Sequence, residues 1–353
     1  MRVEALALLV MCLATPRVLA QAGEEPAATP LHESQPVIVE GRRQTGTMGP
    51  FQCDSDHNVL LGIPAIDQDG VLDPSRGVLI KTSPAGKVLA QFNIPPDASK
   101  LFFRSYFLDP DGGVYWVAWE PMTDVTTVYR YGKDGNLQSK VRLDARINPL
   151  GPMGVFPDGR LLLAGVASDR TPGELPNMQP YTGLFDAAGK LLKKVVLEDD
   201  ARLEEAVRNH DEGSVPTESR GGNAAVTYGA VAMGRDGNLY LMRHANPAVI
   251  YAISNSGDVV RSYQVPPTQP DLVPHALFYE EGQLAVAFVR WGTQSGIRSI
   301  SEIRLLDPGS GEVTATYLGD ESLGGGVVCY ERGGKVTFIG AKDGHMALRF
   351  AQP

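Results

Sequence analysis

Hydrophobic and polar residues alternate along most of this chain in short runs, and each run follows a turn that contains glycine. A period of two residues is typical of β-strands with one face more exposed than the other. Glycine accepts the positive φ that a tight hairpin turn requires. The runs read KVLAQFNI, NLQSKVRL, KLLKKVVL, DVVRSYQV and EVTATYL, after the turn glycines Gly86, Gly135, Gly189, Gly257 and Gly311. The pattern predicts a hairpin that recurs along the chain.

A second set of turns lies upstream of the first in each repeat. The sequences are SDHNVLLGIP, PDGGVYWVAW, PDGRLLLAGV, RDGNLYLMRH, EEGQLAVAFV and ERGGKVTFIG, each after a short apolar strand. Six repeats of four strands cover residues 50–351, mostly at the spacing of about 40–50 residues that is typical of one propeller blade. We predict an all-β fold, a six-bladed β-propeller of four-stranded antiparallel blades. A β-sandwich or two smaller β domains are the alternatives.

The last repeat is one strand short, because the chain stops after its third strand. The segment QPVIVE, residues 35–40, offers the missing strand from the other end of the chain. A ring closed by this N-terminal strand would leave no open sheet edge. One segment does not fit the repeat: an insertion at about 199–227, which begins with helical spacing in DDARLEEAVRNH.

The N-terminus has the features of an export signal. A positive start at Arg2, the apolar stretch ALALLVMCLA and the small-residue site VLA predict a signal peptide over residues 1–20, cleaved near Ala20. Residues 21–35 are rich in Pro, Ala and Glu and predict a flexible leader. Residues 36–353 then form a single propeller domain. After residue 20 no apolar run is long enough for a membrane-spanning helix, so we expect a periplasmic or secreted protein without a membrane span.

The net charge and the cysteine content indicate which partners to exclude and whether a disulfide can form. The formal net charge of −9 argues against a nucleic-acid partner, which requires a basic surface. Two cysteines, Cys53 and Cys329, remain after removal of the signal, and an oxidising compartment permits them to pair. They lie on the inner strands of the first and last blades, which are neighbours in a closed ring. We predict a disulfide between them, with two buried free thiols as the alternative.

The repeated blade pattern resembles the six-bladed propellers of the NHL-repeat, TolB-like and gluconolactonase-like superfamily over residues 36–351. The resemblance implies the fold, whereas propellers serve as enzymes, ligand binders and scaffolds alike. Gluconolactonase-like enzymes hold a divalent metal through Glu, Asn and Asp at the starts of inner strands. The corresponding positions of this chain lack such a set, so we expect no metal and no cofactor, and a metal-dependent lactonase is the weakest reading.

Long loops predict where function is located. The loops between strands 2 and 3, and those between blades, share one face, and all the long segments fall there. The residues expected near the channel mouth on this long-loop face are Arg104, Trp119, Glu120, Tyr228, His244, His275, Arg290 and Trp291. We predict a binding or protein-interaction module for a small molecule, glycan or protein. The alternative is a channel-centred hydrolase or lyase with His275 as general base and Arg104 stabilising an anion.

Overall fold

The protein is described by a computed structural model, in which six separate β-sheets are arranged as the blades of a propeller. The structure describes residues 17–18, 26–43, 48–66, 72–98, 101–120, 122–149, 151–169, 177–198, 229–290, 300–323 and 326–353. The predicted insertion at 199–227 and most of the predicted signal peptide lie outside these ranges. Within them, no helix is long and apolar enough to cross a membrane.

The first three blades follow the predicted order of strands. Blade 1 consists of β5 (Met48–Cys53), β6 (Val59–Ile66), β7 (Leu72–Thr82) and β8 (Val88–Phe92). Blade 2 consists of β9 (Phe102–Leu108), β10 (Val114–Glu120), β11 (Val125–Tyr131) and β12 (Leu137–Arg142). Blade 3 consists of β13 (Ile147–Asn148), β14 (Met153–Val155), β15 (Leu161–Asp169), β16 (Asn177–Phe185) and β17 (Leu191–Lys194).

The other three blades each recruit short strands from the N-terminal part of the chain. Blade 4 consists of β18 (Gly229–Met233), β19 (Leu239–Arg243), β20 (Ala248–Ile253) and β21 (Val259–Val265), beside β1 (Arg17–Val18), a two-residue strand that cleavage of the predicted signal peptide would remove. Blade 5 consists of β22 (Val273–Glu280), β23 (Gln283–Arg290), β24 (Ile300–Leu306) and β25 (Val313–Gly319), beside β2 (Thr29–Pro30). Blade 6 consists of β26 (Gly326–Glu331), β27 (Lys335–Lys342) and β28 (His345–Gln352), completed by β3 (His32–Glu33) and β4 (Val37–Arg43).

The topology confirms the six-bladed propeller and excludes a sandwich. Within each blade consecutive main strands pair as antiparallel hairpins, except that β13 and β14 of blade 3 both pair with β15. The 3₁₀ turns at Pro96–Ala98 and Glu321–Leu323 lie between blades. Apolar side chains from neighbouring blades form the core; Val117, Leu162 and Leu241, for example, belong to one cluster and are fully buried or nearly so. The blades are therefore joined to one another by hydrophobic packing, while hydrogen bonds hold the strands within each blade.

The predicted closure of the ring by an N-terminal strand is confirmed. Strand β4 pairs antiparallel with β28, with Val37 opposite Leu348 and Ile38 opposite Ala347. Val39 is fully buried in a cluster formed by the first and last blades. The predicted disulfide is also present: Cys53 and Cys329 are bonded, with their Cα atoms 5.5 Å apart. Backbone pairing, apolar packing and a covalent bond thus all join blade 6 to the start of the chain.

The segment predicted as a flexible leader, residues 21–35, contains ordered structure at its end. Strand β2 pairs in parallel with β25, and β3 pairs with β28. Between them Leu31 is 4% exposed, and its backbone N donates to the carbonyl of Leu318 at 2.8 Å. A single apolar side chain in a polar segment therefore anchors the chain across blade 5 before it reaches blade 6.

The turn glycines have the predicted conformation and a second role between blades. Gly135 has a φ of +86° in the turn between β11 and β12. A Cβ atom at this position would overlap the carbonyl oxygen of Gln91, on the outer strand of the preceding blade. Gly237 has a φ of +84°, but an added Cβ would meet nothing within 4 Å. Gly135 is therefore required both by the turn and by the close approach of two blades.

Two features of the interior depart from a simple repeat. The inner strand of blade 3 is split into β13 and β14, which pair with different parts of β15.

In blade 5 a buried carboxylate, Glu302, accepts a hydrogen bond from the backbone N of Thr268 at 3.0 Å and lies 4.0 Å from the Arg304 guanidinium. Both charged side chains are at most 1% exposed. Such a pair is costly to break, because the remaining charge would be left buried.

Candidate functional site

The eight predicted site residues are only partly within the described structure. Tyr228 and Trp291 lie outside the described residues. Arg104 lies on β9, but its side chain is also outside them. Trp119, Glu120, His244, His275 and Arg290 are described, at strand ends of blades 2, 4 and 5. The grouping of all eight residues near the channel mouth therefore remains a prediction.

Two of the predicted residues, His244 and His275, form a histidine pair between blades 4 and 5. His244 directly follows β19, and His275 lies near the start of the inner strand β22. Burial lowers the pKa of His244 to about 4. Burial, together with the nearby His244, lowers the pKa of His275 to about 3. Both imidazoles are consequently neutral at neutral pH, because a low-dielectric site disfavours the protonated form.

The His275 ring also contacts a side chain from a blade that is not its neighbour. Its centroid lies 5.0 Å from that of Phe51, with the rings tilted by 44°. Phe51 belongs to β5 of blade 1, whereas His275 belongs to β22 of blade 5. The inner strands β5, β18 and β22 approach one another across the axis. The histidine pair thus forms part of the packing around the central channel.

The remaining described candidates are buried or form hydrogen bonds in the long loops and connections. Trp119 is 8% exposed and its backbone lies opposite Thr126 in the β10–β11 hairpin. The Thr123 hydroxyl donates to the Glu120 carboxylate at 2.6 Å, within the same loop. Arg290 donates to Asp271 at 2.5 Å, and this hydrogen bond lowers the pKa of the Asp271 carboxyl. These contacts agree with structural roles for Trp119, Glu120 and Arg290.

A cleft that was not predicted opens on the outer part of the long-loop face. Its volume is about 400 Å³, and it lies between the β10–β11 loop and the connection from blade 2 to blade 3. Its lining residues are Thr123, Asp124, Val125, Arg142, Leu143, Asp144, Ala145 and Arg146. The Leu191 backbone N donates to Asp144 at 2.6 Å, which fixes this connection against blade 3.

The charges of this cleft, which we call the RLDAR cleft after residues 142–146, are of both signs. Arg142, Asp144 and Arg146 are exposed, and Asp124 on the opposite side is 5% exposed. Asp124 has a φ of +54°, which is uncommon for a residue with a side chain. A signal was present in the sequence, since RLDAR places three charges in a short connection between blades. The cleft was not predicted because the loops were compared by their length and not by their charge.

Comparison with known proteins supports the fold and gives no family. No protein-family model matches the sequence, and no curated protein matches it. A protein of unknown function from Dyadobacter fermentans is similar in structure, with a TM-score of 0.50 and 12% identity over 91% of this chain and 99% of that one. At this identity the likeness concerns the fold alone.

Two solved structures of enzymes are also similar. The PQQ-bound aldose sugar dehydrogenase of Streptomyces coelicolor has a TM-score of 0.48 and 12% identity, over 93% of this chain and 99% of that one. A gluconolactonase from Xanthomonas campestris has a TM-score of 0.47 and 12% identity, over 94% of this chain and 99% of that one. The six-sheet topology itself confirms the predicted resemblance to six-bladed propellers, as one of fold.

Proposed function

We propose that this chain is an exported propeller that binds a small molecule, a glycan or a protein through its long-loop face. The observation that carries the proposal is the RLDAR cleft, a concave site of about 400 Å³ on that face. Binding sites are commonly clefts of this size with a few convergent polar groups. The Cys53–Cys329 disulfide supports an oxidising, exported location, after removal of a signal peptide that ends near Ala20.

The side chains of the cleft define the chemistry of the ligand. Arg142 and Arg146 present planar guanidinium groups that suit carboxylates through paired hydrogen bonds. Asp144 offers a carboxylate that can accept from hydroxyl groups. A ligand with carboxylate and hydroxyl groups, such as an acidic glycan or sugar acid, satisfies both. Trp119, Arg290 and Trp291 remain proposed contacts for larger partners on the same face.

The hydrolase or lyase alternative has weaker support. A general base works best with a pKa near the operating pH, whereas His275 has a pKa lowered to about 3. Such an imidazole is a poor proton acceptor at neutral pH. Contact with Phe51 further agrees with a packing role for His275.

Binding can be tested with a panel of acidic and neutral oligosaccharides and sugar acids, measured by calorimetry. We expect an acidic ligand to bind, and Arg142→Ala or Arg146→Ala to weaken it by about tenfold or more, equivalent to about 1.4 kcal/mol. Arg332→Ala is the matched control, because this exposed arginine lies on the opposite face, paired with Glu281. Equal weakening by the control, or no binding by any acidic ligand, would contradict the proposal. If the protein turns over a compound of the panel and His275→Gln abolishes this turnover, the hydrolase or lyase alternative is favoured instead.

A further inference from the structure

A second cluster of reactive side chains lies on the opposite face, where the short turns are. Cys53 ends β5 and Cys329 lies in β26, so their disulfide is next to the β5–β6 turn. His57 in this turn directs its Nδ1 atom to the Sγ atom of Cys329 at 4.0 Å. The ligand atoms of Cys53, His57 and Cys329 all lie within 4.8 Å of one another. Two sulfurs and one imidazole nitrogen therefore share one small volume.

The turn holds His57 in a defined position. His57 has a φ of +59°, and its backbone N donates to the carbonyl of Asp54 at 2.9 Å. The Asp54 carboxylate in turn accepts from the backbone N of Asn58 at 2.9 Å. The two cysteines lie on inner strands of adjacent blades, which are among the most constrained elements of the fold. All three side chains thus project from positions that the scaffold fixes.

The other ring nitrogen of His57 faces a carboxylate. Its Nε2 atom lies 3.9 Å from the Oε2 atom of Glu331. Lys335 holds the Glu331 carboxylate at 2.9 Å. In metal sites a ligating histidine almost always presents its second nitrogen to a carboxylate or carbonyl, which fixes the ring and increases its basicity. The His57 imidazole thus lies between the sulfur of Cys329 and the carboxylate of Glu331, which is the arrangement of a metal-ligating histidine.

We propose that reduction of the Cys53–Cys329 disulfide creates a zinc site with ligands Cys53, Cys329 and His57, oriented by Glu331. Thiolate and imidazole ligands select zinc over harder cations such as calcium and magnesium. Tetrahedral zinc with bonds of about 2.3 Å to sulfur and about 2.0 Å to nitrogen needs sulfur–nitrogen separations of about 3.6 Å. The observed 4.0 Å between His57 and Cys329 is within half an ångström of that separation.

The two sulfurs have to separate when their bond is broken. Two bonds of about 2.3 Å at a tetrahedral angle place sulfur atoms about 3.8 Å apart. Rotation of the cysteine side chains allows this while the backbone stays in place. The His57 side chain is 29% exposed and Cys53 is partly exposed. The site is therefore open to an incoming ion, and water can occupy the fourth position.

The chemistry balances with a dithiol as the reductant. The dithiol supplies two electrons and two protons, the S–S bond breaks, two protein thiols form, and the dithiol becomes a disulfide. Zinc then displaces both thiol protons, forms two Zn–S bonds and keeps its oxidation state. In the reverse direction a small-molecule disulfide accepts the two electrons and becomes two thiols, while the Cys53–Cys329 bond re-forms and the ion is released. The cluster would consequently exchange a covalent closure of the ring for a metal-mediated one.

Cobalt(II) is the probe, because thiolate ligands give it charge-transfer absorption and tetrahedral geometry gives it intense visible bands. The full chain is reduced with a dithiol, freed of reductant under anaerobic conditions, and titrated with Co²⁺ and then Zn²⁺. We expect one Co²⁺ per reduced chain, displacement by Zn²⁺, and no such spectrum from the oxidised protein. A reduced chain that loses structure and regains it with Zn²⁺ would also support the site.

Variants assign the ligands. Glu331→Gln should weaken zinc binding about 10–100-fold while the cobalt spectrum stays tetrahedral. His57→Asn should weaken it at least as much and change the spectrum, and Asn tolerates the positive φ of this position. His32→Asn, at an exposed histidine on β3, is the control and should bind as the unmodified chain does. The proposal is overturned if the reduced chain binds no Co²⁺ with a thiolate spectrum, if it stays unfolded with Zn²⁺, or if His57→Asn has no effect.

Discussion

The histidine pair predicts that the fold loses stability steeply in mild acid. His244 and His275 have folded pKa values lowered to about 4 and about 3, from an ordinary value of 6.5. The unfolded chain therefore binds protons at both residues between pH 6.5 and 4, whereas the folded chain does not. Protons then favour the unfolded state. The free energy of unfolding is therefore undiminished by these histidines above pH 6.5, and it declines as the pH falls towards their folded pKa values.

The size of this effect follows from the two shifts. At pH 5, which is about 1.5 units below 6.5, nearly all unfolded chains are protonated at each histidine and nearly all folded chains are neutral. At about 1.36 kcal/mol per unit, each histidine lowers the free energy of unfolding by about 2 kcal/mol, and the pair by about 4 kcal/mol. A loss of this size is a large fraction of the stability of an ordinary protein.

Urea unfolding of the oxidised protein at pH 7 and pH 5 measures the effect. His275→Gln should reduce the loss between the two pH values by about 2 kcal/mol, because Gln does not titrate. His345→Gln is the matched control, at an exposed histidine that begins β28, and should leave the loss unchanged. Equal losses in the unmodified protein and in His275→Gln would show that the folded imidazole is not held neutral and would refute the reasoning.

Three further outcomes follow from the fold. Gly135→Ala should lower the free energy of unfolding by clearly more than the roughly 1 kcal/mol of positive-φ strain, and by more than Gly237→Ala does, since only the first substitution adds a clash between blades. Urea unfolding compares the two variants, and equal losses of stability would contradict the clash. Glu302→Gln should cost about 3–5 kcal/mol in the same assay, and replacement of Glu302 and Arg304 together by apolar residues should cost less. Deletion of residues 26–41 should lower the melting temperature sharply, whereas an unchanged melting curve would show that ring closure does not stabilise the fold.

The architecture was predictable because the information that determines it is local. A glycine turn and alternating strands recur along the chain, so the six predicted repeats correspond to the six blades of the structure. The disulfide was predictable for the same reason, since Cys53 and Cys329 hold similar positions in neighbouring blades. Strand β4 followed from counting, because a closed ring needs a fourth strand in its last blade.

Other features depend on long-range contacts that no local pattern contains. Burial of Leu31 against blade 5 orders part of a segment whose composition indicates a flexible leader. The split of the inner strand in blade 3 depends on how its two parts pair with β15. The approach of His57 to Cys329 joins a turn of blade 1 to a strand of blade 6. The contacts of Leu31 and of His57 connect residues far apart in sequence, so only the assembled ring shows them. The split of the inner strand lies within one blade and depends on its register with β15.

The pairing of β4 with β28 also determines the order in which the molecule can be assembled. Strand β4 leaves the ribosome before the strands of blade 1, and β28, residues 345–352, leaves it after those of blades 1 to 5. Blades 1 to 5 draw their main strands from consecutive segments and can form as the chain grows, since local contacts form fastest. Blade 6 must wait for the last strand.

During that interval the first blade and the unfinished last blade expose apolar surface and strand edges, which are the features that promote association between chains. The growing chain is therefore most vulnerable just before β28 is synthesised. Proteolytic loss of β4 or of β28 would reopen the same joint, so damage at two distant points of the sequence would produce one and the same open ring.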